Sequence, residues 1–171
     1  MKTAGSPGST ATSVAFVLDV LIAADDPRRA DVVALLERHL AFANAHSPPE
    51  DVHALDLDGL LVPAISFFGA RTPTSELLGI GALKELDPAH GELKSMHTAA
   101  EARGLGVGAA MVTHLLDVAR SRGYTKVSLE TGSMDAFIPA RTLYARFGFT
   151  VCPPFADYVE GPNSTCMALA L

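Results

Sequence analysis

Arg103-Gly104-Leu105-Gly106-Val107-Gly108 stands between a run that reads as a strand, Glu92 to His97, and an amphipathic segment that opens at Val107. Glycine at three alternate positions is costly where a helix begins, because a glycine inside a helix gives up roughly 1 kcal/mol relative to alanine. Taken alone, glycines here would also suit a simple tight turn, but such a turn needs only about one of them. The pattern therefore calls for something that approaches the backbone. The first N–H groups of a helix have no intrahelical partner and carry the positive end of its dipole, so an anion is favoured there. Without side chains in the way, pyrophosphate oxygens can come close.

Downstream of the turn, Val107, Ala110, Met111, His114, Leu115 and Val118 fall on one helical face, with Asp117, Arg120 and Arg122 off it and Gly123 as a stop. His114 on that stripe reads as a core residue. Upstream, Ala64 to Ala70 and Leu77 to Leu86 flank the turn-rich RTPTSE as a hairpin, and Asp87-Pro88 with Gly91 make a further turn into Glu92–His97, a third antiparallel strand. Beyond the helix come a strand at Lys126 to Glu130, a helix from Pro139 to Phe147 ended by Gly148, and a closing pair, Phe149 to Cys152 with Thr165 to Leu171. At the other end, residues 1–12 are small and polar and read as a flexible tail, and Ser13 to Ala23 reads as a first strand. Asp26-Pro27 looks like an N-cap and first helical residue, with Val32, Leu35, Leu36, Leu40 and Ala43 as the buried stripe and Ser47-Pro48-Pro49 as the stop. Glu50 to Leu61 is mixed, with a break at Gly59. No repeat or linker divides residues 13–171, which read as one domain.

Composition excludes several classes. A chain of 171 residues with 49% apolar and 19% charged residues can bury a core and is not of disordered composition. A net charge of −6 offers no footprint for nucleic acid. Val14 to Ala24 is too short for a membrane span and carries Asp19. Cys152 and Cys166 are too few for a disulfide framework and lack zinc spacing, as do His46, His53 and Asp56, so no metal is expected and the reading is two thiols in a cytoplasmic protein. Glu50, Asp51, Asp56 and Asp58 make an acidic field that suits a small-molecule amine, or simply a solvated loop.

Gly104, Gly106 and Ala109 also satisfy the dinucleotide pattern G-x-G-x-x-A, with Glu130 where a ribose-binding acid would stand. That pattern needs its first glycine almost on the strand end, whereas Ala99 to Arg103 intervene here, and it opens a series of parallel strands for which little chain remains.

Arg103-x-x-Gly106-x-Gly108 resembles the R/Q-x-x-G-x-G/A signature of the GNAT N-acetyltransferases, and Ala140-Arg141-Thr142-Leu143-Tyr144-Ala145-Arg146-Phe147-Gly148-Phe149 resembles their A-x-x-L-Y-x-x-x-G-F element. The likeness covers about residues 65–152. Within the family, the segments HSPPE at His46–Glu50, ELKSM at Glu92–Met96, LETGS at Leu129–Ser133 and PNS at Pro162–Ser164 resemble a bacterial single-domain branch. Phe137 departs from the pattern, since many members carry Asn there. The resemblance implies an α/β (α+β) fold: a mixed, mostly antiparallel sheet of six or seven strands with a splayed parallel pair, here Glu92–Thr98 and Lys126–Glu130, and about four helices. It implies acetyl-CoA as cosubstrate, with the main chain of Met96, His97 and Thr98 along the pantetheine arm and Arg103, Gly104, Leu105, Gly106, Val107, Gly108 and Ala109 around the pyrophosphate. Transfer to the amine would be direct. Tyr144 would protonate the leaving thiolate, and Glu92, on the strand facing the splay, is the first candidate base, with Glu130 and Glu85 behind it. His97 would fall beside the thioester. A non-catalytic coenzyme A-binding module of the same fold is the alternative, and a homodimer is a family-level expectation.

Overall fold

A computed structural model describes residues 19–171. The tail expected over residues 1–12, and residues 13–18 of the expected first strand, lie outside the described residues. Seven strands form one sheet in the order β1-β2-β3-β4-β5-β7-β6. They are β1 (Leu21–Ala24), β2 (Ile65–Arg71), β3 (Leu77–Asp87), β4 (His90–Thr98), β5 (Lys126–Gly132), β6 (Thr150–Val151) and β7 (Ser164–Ala170). The helices are α1 (Ala30–His46), α2 (Leu57–Leu60), α3 (Val107–Ser121) and α4 (Ile138–Arg146), and short 3-10 turns stand at Pro49–Asp51, Ala100–Ala102 and Asp135–Phe137. Each described strand pair is antiparallel except β4 with β5. A dinucleotide-binding unit needs a run of parallel strands, so this topology removes that alternative.

The parallel pair is short. Register holds from His90↔Lys126 to Leu93↔Leu129 and stops. The cause lies on the other edge of β4, where Ala82 pairs with Lys94 and Ile80 with His97, so Ser95 and Met96 together face one residue of β3. Ser95 has φ 52°, and such a bulge bends its strand away from the regular ladder. The splay of the two strands expected to form it therefore begins after Leu93 and Leu129.

Helix α3 packs on the sheet through Val107, Met111, Val112, Leu115, Leu116 and Ala119. Its buried stripe is turned relative to the expected one: Ala110, His114 and Val118 are only partly covered. His114 sits edge-on to Phe68 with ring centroids 4.8 Å apart.

Three local expectations need correction. Asp26 does not cap α1, which starts at Ala30. Instead Asp26 accepts from the Arg28 backbone N–H at 2.9 Å, closing a turn. Arg71 on β2 then fixes the entry to the helix, donating to Asp25 at 2.8 Å and to Asp31 at 2.6 Å. Gly59 is no break but part of α2, where its N–H donates to Asp56 at 2.9 Å. Gly91 lies inside β4, paired with Glu85 on one side and Val127 on the other.

Candidate active site

A cavity of about 600 Å³ opens between α1, the splayed ends of β4 and β5, the start of α3 and α4. Its two ends differ in chemistry.

One end is the glycine turn. Gly104 and Gly106 have φ of 76° and 86°, the left-handed region that costs other L-residues roughly 1–2 kcal/mol. Among the described residues, no acceptor meets the N–H groups of Gly104, Gly106, Val107, Gly108 or Ala109. These residues line the cavity together with Arg103, whose Nε donates to the Thr98 carbonyl at 3.4 Å. A cluster of unspent backbone donors at a helix start is an anion cradle. Leu105 stands apart: its side chain is exposed, and its N–H is spent on the Ala102 carbonyl.

Met96, His97 and Thr98 form the adjoining wall. His97 and Thr98 pair with Ile80 and Gly79 of β3, while the β5-facing edge of β4 has no strand partner after Leu93. Such an edge can take an extended chain alongside it. Tyr144 of α4 also lines the cavity, with its ring edge-on to Phe149 at 5.9 Å. Its hydroxyl makes no hydrogen bond among the described residues. Burial holds the phenol pKa well above its ordinary value, so the group keeps its proton.

The other end is walled by rings. His39 and His97 lie 5.2 Å apart, and Phe42 stands 6.5 Å from His97 and 5.3 Å from Phe137. Phe137, where the family pattern has Asn, thus belongs to this wall, and Gly132 makes room for it: a Cβ there would overlap its ring. Burial lowers both imidazoles to about 4, so they are neutral at pH 7. Lys94, Asp51 and Glu130 also line the cavity, and the Lys94 charge acts on His39. Burial raises the Glu130 carboxyl above its ordinary range, against the hydrogen bond it accepts from Ser164 at 2.8 Å.

Glu92 is placed differently from expectation. It is 1% exposed, is not on the cavity wall, and accepts from the Tyr158 hydroxyl. Lys94 stands in front of it, Nζ 3.4 Å from the Glu92 carboxylate, donating to Tyr158 Oη at 2.6 Å and the His53 carbonyl at 3.2 Å. Glu85 accepts from the Tyr124 hydroxyl at 2.9 Å and does not line the cavity. Lys94 and Tyr158 were not foreseen from the sequence, although Glu92-Leu93-Lys94 carried a signal, since residues two apart on a strand share a face. The four short segments singled out in the sequence converge here: Asn163 donates to Asp51, just past HSPPE, at 2.9 Å, Ser164 to Glu130, and Ser133 to the Pro162 carbonyl. Among the described residues, no cluster of three or more His, Cys, Asp or Glu could hold a metal ion, and no helix is long and apolar enough to cross a membrane.

The acetyltransferase (GNAT) family model matches residues 31–149. The chain is 50% identical over 147 residues to YsnE of Bacillus subtilis (strain 168), an uncharacterized N-acetyltransferase, covering 86% of this chain and 97% of that one. A solved Klebsiella pneumoniae chain assigned to the acyl-CoA N-acyltransferases superposes with a TM-score of 0.74 at 26% identity, covering 90% of this chain and 99% of that one. A Bacillus subtilis acetyltransferase solved in complex with CoA shares the fold at a TM-score of 0.66 and 18% identity, over 89% of this chain and 99% of that one. The chain belongs to the GNAT acetyltransferase family, and is an acyltransferase.

Proposed function

We propose that the chain transfers an acetyl group from acetyl-CoA to a primary amine of a small molecule by direct transfer, with both substrates in the cavity. The observation that carries this is the join between the glycine turn and Tyr144: N–H groups without an acceptor among the described residues, the open edge of β4, and a Tyr144 hydroxyl kept protonated by burial and without a hydrogen bond among the described residues all line one cavity. The turn fits a pyrophosphate, the open edge fits the amides of a pantetheine arm, and acetyl-CoA supplies the activated thioester. Met96, His97 and Thr98 orient the arm, and Arg103 with Gly104 to Ala109 holds the phosphates. Leu105 contributes only its place in the turn.

Tyr144 Oη gives its proton to the sulfur as the thiolate leaves, a role suited to a phenol kept protonated by burial. The base is Glu130 rather than Glu92, because Glu130 lines the cavity while Glu92 is buried behind Lys94. A carboxylate whose pKa is raised by burial is the stronger proton acceptor, and Glu130 takes the amine's proton on an Oε atom.

Tyr144→Phe tests the assignment. The ring contact with Phe149 survives and no hydrogen bond is lost, so the melting temperature should hold. The turnover rate should fall about 10²–10⁴-fold, the usual worth of general acid–base catalysis. Unchanged turnover would remove Tyr144 from the mechanism. Binding of coenzyme without thiol release against any amine would favour the non-catalytic module.

A further inference from the structure

Lys94 has no part in the chemistry above, yet its cationic side chain lines the cavity, as do Arg103 from the glycine turn and Arg146 from α4. Its side chain is only 10% exposed, so burying it serves a purpose or carries a cost. Glu92 neutralises it from behind, and because Glu92 is off the wall, the pair presents its positive end to the cavity. An ammonium has three N–H donors. Two are spent, on Tyr158 Oη and the His53 carbonyl, while the Glu92 contact at 3.4 Å is an ion pair without hydrogen-bond geometry. One donor is left. Glu130 lines the same cavity, and against the larger rise from burial the positive charge of Lys94 acts to lower its carboxyl pKa. A positive and a negative side chain, both partly buried and lining one cavity, are the complement of a zwitterion.

We infer that the acceptor is an amino acid with an apolar or aromatic side chain, its carboxylate held by Lys94, its amine presented to Glu130 and its side chain laid against Phe42 and Phe137. Lys94 is thus a specificity-determining residue. The inference rests on acetyl transfer taking place in this cavity. A charged hydrogen bond to carboxylate favours the amino acid, and an amine without it leaves a buried ammonium donor unpaired, which disfavours the competitor.

The test uses matched acceptors on the unaltered protein: L-phenylalanine against phenethylamine, L-leucine against isoamylamine, with free thiol release as the readout. Removing the carboxylate should lower kcat/KM about ten-fold or more, the effect of one charged hydrogen bond. In Lys94→Met the ratio within each pair should collapse toward one, and Lys94→Arg should restore part of it. A purely structural lysine would lower both members of a pair alike. Melting curves identify a variant that fails to fold, and the pairs on the unaltered protein decide the question without it. Equal or better turnover of the decarboxylated amines would overturn this inference and leave acetyl transfer standing. Release from none of the four acceptors, with no saturable binding of either amino acid to the CoA-loaded protein, would overturn this inference alone, since acetyl transfer falls only if no amine at all releases thiol.

Discussion

Gly106→Ala and Gly108→Ala differ in the physics they disturb, although the two glycines are two residues apart in one turn. Gly106 has φ 86° and no atom within 4 Å of the position a Cβ would take, so alanine meets no obstacle and suffers only the left-handed backbone. That strain is about 1–2 kcal/mol. For a protein of this length about 1 kcal/mol moves the melting temperature by about 2–4 °C, so a fall of roughly 2–8 °C follows. Gly108 lies within α3 with no positive φ, and its Cβ would stand 3.2 Å from Leu143 Cδ2, the flexible end of a side chain. Alanine gains up to about 1 kcal/mol of helix propensity there, less a small adjustment of Leu143, so the melting temperature should hold or rise. Differential scanning calorimetry of both variants gives the comparison. Repeating it with CoA adds the functional half: a ligand at about 100 times its Kd stabilises by about 2.7 kcal/mol, and Gly106→Ala should show less of this, because the turn that aims the N–H groups is strained. Equal losses for the two variants, or an undiminished CoA effect in Gly106→Ala, would refute the reasoning.

Glu130→Gln should abolish the acidic limb of the rate profile and lower turnover about 10²–10⁴-fold. Its stability should move the other way: burial raises the folded-state pKa, so the wild type loses stability as pH rises from the ordinary carboxylate range through that raised value. Glutamine does not titrate and still accepts from Ser164, so the variant should melt at or above the wild-type temperature at neutral pH; a lower melting point there would count against the desolvated carboxylate. Gly132→Ala should displace Phe137, and Phe137→Ala should relieve the clash, so a double-mutant cycle should show coupling of about 0.5–3 kcal/mol, while additive effects would show that the two do not touch.

The glycine turn was legible because its reasons are local: left-handed φ at Gly104 and Gly106 and a helix start at Val107 are written in adjacent residues. So was the order of strands, since β2, β3 and β4 are consecutive and antiparallel. What stayed hidden depends on distant partners. The start of α1 is set by Arg71, whose bond to Asp31 spans 40 residues, and no local cap signal could reveal that the aspartates were already engaged. The bulge at Ser95 has no glycine to announce its positive φ. Glu92 lay on the correct strand, but its carboxylate is engaged by Tyr158, 66 residues away in an irregular stretch with no periodicity to read. The same stretch brings Asn163 onto Asp51, 112 residues away.

The measurement closest to the central claim is the stoichiometry of transfer: free thiol released from acetyl-CoA and the mass of the acceptor, followed together while both substrate concentrations are varied. Direct transfer through Tyr144 and Glu130 predicts one acetylated amine per thiol, with intersecting double-reciprocal lines. Thiol release without acetylated amine, or parallel lines with an acetyl group retained on the protein, would contradict it.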